Sequence, residues 1–169
     1  MRYLRLRVMR DKDLDAVLRL NNAAAPTIHP LTEESLAQLR GWCDVALVAC
    51  DRTGDPIAFL LSLGPGTPYS SPNYRWFEDR GTRHQYIDRI VVSGAARGTG
   101  VGRALYESVF ERARERGATE VTTEVSVAPA DPRSLSFHEA LGFRQLAEHD
   151  IPDGTARVAL LSRTVDGLL

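Results

Sequence analysis

The stretch ARGTGVGRAL, Ala96 to Leu105, sets three glycines and two arginines between an apolar run and an amphipathic segment. Glycines so placed let a ligand approach the backbone, and a helix starting there presents unpaired N–H groups and the positive end of its dipole. That combination suits a diphosphate, and Arg97 would add a charge-assisted contact. Three phosphate-binding patterns compete. A P-loop needs Lys and then Ser or Thr after its last glycine, and Gly102 is followed by Arg103 and Ala104. A dinucleotide fingerprint needs a third glycine at wider spacing in an early βαβ unit, whereas Gly98-x-Gly100-x-Gly102 lies mid-chain. The pattern left standing is Arg97-x-x-Gly100-x-Gly102 at a strand-to-helix junction, with a plain tight turn as the ligand-free alternative.

Other reactive side chains are sparse. Cys43 and Cys50 sit in apolar surroundings with no CxxC, and read as small buried hydrophobes rather than redox groups. His29, His84, His138 and His149 are scattered, without metal-ligand spacing, so no metal is expected.

The elements that must position the glycines follow from periodicity. Residues 2–10 alternate arginine with apolar side chains, as in a half-buried strand. Asp11 stands where it would cap a helix carrying Leu14, Val17 and Leu18. Thr32 would cap a second helix with Leu36, Leu39 and Trp42 on its apolar face. VALVAC (45–50) and IAFLLSL (57–63) are continuous apolar strands joined by the turn DRTGDP, and such runs predict central strands covered on both faces. Residues 64–83 form a long connection rich in Gly, Pro and Ser that carries Tyr69, Tyr74, Trp76 and Phe77; long loops in compact domains are usually functional or disordered, and the aromatics argue against disorder. QYIDRIVV (85–92) is a strand, a helix runs from about Gly100 to Arg116, and EVTTEVSV (120–127) is another strand. A short helix ends at Gly142, and a final hairpin turns at PDG. A chain of 169 residues fits one domain, 1–169.

Net charge is −1 at pH 7, which argues against bulk binding to nucleic acid or an anionic membrane. The N-terminal stretch lacks the apolar core of a signal peptide and no run reaches membrane-spanning length, so a cytoplasmic protein is expected.

YIDRIVV followed by ARGTGVGRAL resembles the acetyl-CoA-binding motif of the GCN5-related N-acetyltransferases (GNAT). DPRSLSFHEALGF (131–143) is similar to that family's second signature, with Asp131 where Asn is common and His138 where Tyr is common. The combination of YIDRIVV, WFEDR and SFHEALGF also resembles a bacterial subgroup of predicted acetyltransferases. The resemblance covers nearly the whole chain. It implies a mixed α/β fold: a mostly antiparallel sheet of six to seven strands, splayed between strands four and five, with about four helices.

The resemblance further implies acetyl transfer from acetyl-CoA to an amine of a small molecule or peptide, by direct attack in a ternary complex. Pantetheine would pair with the backbone of Ile90, Val91 and Val92, and an N–H there would serve the oxyanion. The diphosphate would lie on Arg97, Gly98, Thr99, Gly100, Val101, Gly102 and Arg103. Asp131 and Ser134 would shape the turn beside the cofactor, and Phe137 and His138 would pack on it. Asp88 is the candidate base, with ion pairing to Arg89 or Arg75 as its structural alternative. His138 is the candidate acid, or a base. Tyr74, Trp76, Phe77 and Tyr86 are candidate acceptor contacts, or loop packing. A homodimer is the partner common to such folds. Two other classes stay open: a catalytically inactive acyl-CoA-binding domain of the same fold, and a nucleotide-binding module.

Overall fold

The computed structural model describes residues 4–165. Its strands are β1 (Arg5–Val8), β2 (Val45–Cys50), β3 (Pro56–Leu63), β4 (His84–Val92), β5 (Glu120–Ala128), β6 (Arg144–Asp150) and β7 (Arg157–Thr164). Its helices are α1 (Leu14–Ala23), α2 (Glu33–Trp42), α3 (Pro72–Glu78), α4 (Val101–Glu115) and α5 (Pro132–Ala140). The sheet order is β1-β2-β3-β4-β5-β7-β6. β4 and β5 run parallel, while β1–β2, β2–β3, β5–β7 and β6–β7 are antiparallel. This is the expected mixed fold, with seven strands and five helices in place of about four. Residues 2 and 3 of the expected first strand lie outside the described residues.

The chain packs as two compact units. One holds the described residues up to Leu63 together with Arg89–Val109, the other Gly64–Asp88 and the described residues from Phe110 onward.

In the first unit, β2 is buried at every position and β3 from Ala58 to Leu63, as their unbroken apolar sequence requires. Asp51 shapes the turn between them by accepting from the N–H groups of Thr53 (2.9 Å) and Asp55 (3.1 Å). Thr32 caps α2 as expected, accepting from the Ser35 N–H at 3.1 Å while the Ser35 hydroxyl accepts from the Thr32 N–H at 2.9 Å. The cap expected at Asp11 is corrected. Asp11 opens a 3₁₀ turn, and α1 begins only at Leu14. The carboxylate that organises this corner is Asp13, which accepts from the Arg10 N–H (2.7 Å) and from both Arg7 guanidinium nitrogens (2.6 and 2.8 Å). Asp13 is buried and Asp11 exposed, so only Asp13 lies within the arginine's fork. Those arginine bonds hold the Asp13 carboxyl below the usual carboxylate range.

The second unit contains α3, a helix inside what reads from sequence as a long connection. Ser71 caps it and Pro72 occupies its first turn, a start signal that a seven-residue helix has no room to back with an apolar stripe. Tyr74, Phe77 and Tyr86 are fully buried, with ring centroids 5.5 Å (Tyr74–Tyr86) and 5.8 Å (Phe77–Tyr86) apart. The start of the connection is stitched to α3. The Tyr74 hydroxyl donates to the Gly64 carbonyl (2.8 Å) and accepts from the Thr67 N–H (3.0 Å). Glu78 accepts from the Gly66 N–H (2.9 Å) and pairs with His84 Nε2 (2.7 Å).

Buried Glu120, at the start of β5, takes Arg80 at 2.6 Å and the hydroxyls of Thr82 and Ser162. Burial opposes its ionisation, but the Ser162, Thr82 and Arg80 bonds together outweigh burial and hold the carboxyl below its ordinary 4.5. A depressed carboxylate stabilises the fold above its unfolded pKa and loses that contribution as pH falls through the folded value. Glu120→Gln is expected to cost about 1–3 kcal/mol at neutral pH, read as a lower urea midpoint at unchanged m-value. The gap to wild type should narrow as pH falls below 4.5. A gap constant with pH would contradict the assignment.

Candidate active site

The parallel ladder between β4 and β5 has three pairs, His84–Glu120, Gln85–Val121 and Tyr86–Thr122. At the next step a side chain replaces the backbone, and the Thr123 hydroxyl donates to the Ile87 carbonyl at 3.1 Å. This is the splay expected between strands four and five. Side chains alternate along strands, so the last pair fixes which residues share a face beyond it: Tyr86 and Asp88 of β4 with Thr122 and Glu124 of β5.

Two phenols serve the two carboxylates there. The Tyr86 hydroxyl donates to Glu124, nearly equidistant from its oxygens at 2.9 and 2.8 Å. The Tyr69 hydroxyl donates to Asp88 Oδ1 at 2.8 Å. Tyr86 is fully buried; that burial, then the charges of Glu124 and Asp88, push its phenol well above the ordinary range. The Tyr86 hydroxyl thus carries the proton it donates to Glu124. The Arg89 guanidinium, considered from sequence as a partner for Asp88, reaches Asn21 Oδ1 (2.9 Å) and the His29 carbonyl (3.2 Å).

His138 lies on α5, whose first turn is capped by Asp131 accepting from the Ser134 N–H at 3.0 Å. His138 is 4% exposed, and its ring lies edge-on to Phe137 and Phe143 at 5.4 and 5.3 Å. Nδ1 lies 2.7 Å from the Ser134 carbonyl, which can only accept. That contact assigns the proton to Nδ1 and leaves the lone pair of the neutral ring on Nε2. Burial lowers the imidazole pKa, against smaller opposing influences from the Ser134 carbonyl and Asp131.

In the first unit, Ile90 and Val92 are half-buried and Val91 buried. After β4, a 3₁₀ turn over Gly94–Ala96 leads into the glycine stretch. Gly98 and Gly100 adopt φ of +72° and +87°, a region favouring glycine, and a Cβ built on either meets nothing within 4 Å. The turn is thus open on the side a side chain would fill. The Ala104 N–H bonds the Gly100 carbonyl at 3.0 Å, so Val101, Gly102 and Arg103 carry first-turn N–H groups. Arg97, Gly98, Thr99, Gly100 and Arg103 are exposed, while Val101 is buried and anchors the helix start. An open, N–H-rich turn flanked by two arginines fits a diphosphate.

Of the aromatic candidates, Tyr74 and Phe77 pack the second unit's core, and Trp76 is half-buried with the Arg80 guanidinium 5.8 Å from its ring. Sequence reasoning misses two residues that the structure sets beside Asp88 and Tyr86. Glu124 stands out only once the register is known, because EVTTEVSV does not say which of its faces meets Asp88's. Tyr69 is visible as a loop aromatic, but a bond across nineteen positions of chain leaves no sequence signal.

Residues 14–143 match the profile of the Acetyltransferase (GNAT) family. The chain belongs to that family. It is 29% identical over 144 residues to the glucosamine 6-phosphate N-acetyltransferase of Trypanosoma brucei brucei, covering 83% of this chain and 89% of that protein. It is 30% identical over 69 residues to a probable N-acetyltransferase family 8 member 5 of Mus musculus, 41% of this chain and 30% of the mouse protein. The solved NatC complex bound to Gag peptide and CoA superposes with a TM-score of 0.76 at 14% identity, over 96% of this chain and 99% of that one, which shows the shared fold.

For this GNAT chain the buried histidine has a measurable consequence. A histidine whose folded pKa lies below 6.5 adds stability above that pH and loses it as pH falls through the folded value. Between pH 7.5 and 5.5 the melting temperature of the wild type should therefore fall more steeply than that of His138→Phe. Parallel curves would contradict the burial argument.

Proposed function

We propose that this protein transfers the acetyl group of acetyl-CoA to a primary amine carried by a small molecule or peptide. The observation that carries the reading is the open turn at the head of α4, with Gly98 and Gly100 at positive φ in a GNAT chain. Arg97 to Arg103 would hold the diphosphate, mainly through backbone N–H groups, and the backbone of Ile90, Val91 and Val92 would hold the pantetheine arm. Asp131, Ser134 and Phe137 would shape and flank the cofactor side of α5. Acetyl-CoA supplies the activated acyl carbonyl and a thiol leaving group.

The remaining chemistry falls to the chain's own residues. Asp88 takes a proton from the acceptor's ammonium, because only the neutral amine has a lone pair to attack with. A backbone N–H at Ile90 or Val91 donates to the oxygen where negative charge develops. His138 starts neutral with its lone pair on Nε2. It accepts the second nitrogen-borne proton after attack and returns it to the departing sulfur. One proton thus leaves through Asp88 and one is relayed, which balances the conversion of an ammonium and a thioester into an amide, a thiol and a free proton.

Thiol release from acetyl-CoA, measured over peptides beginning with alanine, serine or methionine, free amino acids and glucosamine 6-phosphate, tests the reading. At least one amine should turn over. Asp88→Asn should lower kcat by about 100-fold and His138→Phe by about 10- to 100-fold. CoA binding with no release for any amine would favour the inactive acyl-CoA-binding reading.

A further inference from the structure

We infer that Tyr69 is a positioning residue for Asp88, and that through it the segment from Gly64 to Ser71 is coupled to proton removal. The inference rests on the proposed role of Asp88 and adds to it the residue that fixes that carboxylate's orientation.

Tyr69, like Thr67, is half-buried in a segment whose Pro65, Gly66, Pro68 and Ser70 are exposed. Its hydroxyl donates to Asp88 Oδ1 at 2.8 Å, a distance typical of a hydrogen bond to an ionised acceptor. Its ring rests 5.8 Å from that of Tyr74. Tyr74 is in turn fixed by its bonds to Gly64 and Thr67, and Glu78 ties Gly66 to α3 and to His84. The donor to Asp88 is therefore held by a chain of named contacts rather than by a free loop. Asp88 lies two residues past the last β4–β5 pair, where the ladder to β5 no longer fixes the spacing to the neighbouring strand. A carboxylate there depends on side-chain contacts for its orientation, and proton transfer depends steeply on orientation.

Tyr69→Phe keeps the ring on Tyr74 and removes only the donor. With acetyl-CoA and the amine of the panel above that turns over, kcat should fall about tenfold. KM for both substrates should stay within about twofold and the melting temperature should barely move. A merely structural tyrosine would lower the melting temperature, and an acceptor contact would raise KM. The double variant Tyr69→Phe/Asp88→Asn should be no slower than Asp88→Asn alone, because Tyr69 acts through the carboxylate. Wild-type kcat in Tyr69→Phe, a change confined to KM, or a further tenfold loss in the double variant would overturn the inference. Should Asp88→Asn turn over like wild type, the base assignment fails instead, and the two failures are distinct. Amide hydrogen exchange over residues 66–71 reads the tie without any acceptor. Tyr69→Phe and Asp88→Ala should speed exchange there by similar factors, and unchanged protection in both would also overturn it.

Discussion

The arrangement of this GNAT chain depends on where one ladder stops. β4 and β5 share backbone hydrogen bonds through Tyr86–Thr122, and then the Thr123 hydroxyl takes the Ile87 carbonyl in place of a backbone N–H. Backbone polar groups need partners, so a strand that runs on to Val92 beyond its ladder with β5 is suited to receive an extended ligand arm on that edge. The same stop sets Asp88 and Glu124 two residues past the last pair. Had the ladder continued, strand-to-strand hydrogen bonds would occupy the backbone proposed to hold pantetheine.

Four carboxylates in the second unit are held by three kinds of donor set. Glu78 takes a backbone N–H and a histidine; Glu120 takes two hydroxyls and an arginine. Glu124 and Asp88 take phenols. The first two pin the connection between β3 and β4 and the start of β5, and Glu120 remains ionised although buried because three donors compensate its desolvation. A phenol orients a carboxylate without itself bringing a full positive charge, which suits Asp88, the group proposed to meet an ammonium.

Much of this is legible in the sequence. The unbroken apolar runs of β2 and β3, the Thr32 and Asp131 caps and the glycine turn before α4 are local signals, and local signals survive folding. What escapes are features fixed by distant partners. Asp13 rather than Asp11 organises the corner before α1 because Arg7, on β1, reaches it. α3 is hidden because its seven residues are too few for a periodic stripe, although Ser71 and Pro72 mark its start. The pairing of Tyr86 with Glu124 and of Tyr69 with Asp88 follows from strand register and loop path, which alternation in one strand cannot supply.

The turn before α4 is proposed to receive the diphosphate of CoA, and thermal melting tests this most directly. With acetyl-CoA, CoA, ATP and NAD each near 100 times a micromolar Kd, a ligand that binds the folded state adds about 2.7 kcal/mol. The account predicts a rise of a few degrees with acetyl-CoA and CoA alone, and its loss in a variant that fills the open turn, Gly100→Val. A rise with only ATP or NAD, or none with either CoA ligand, would contradict it.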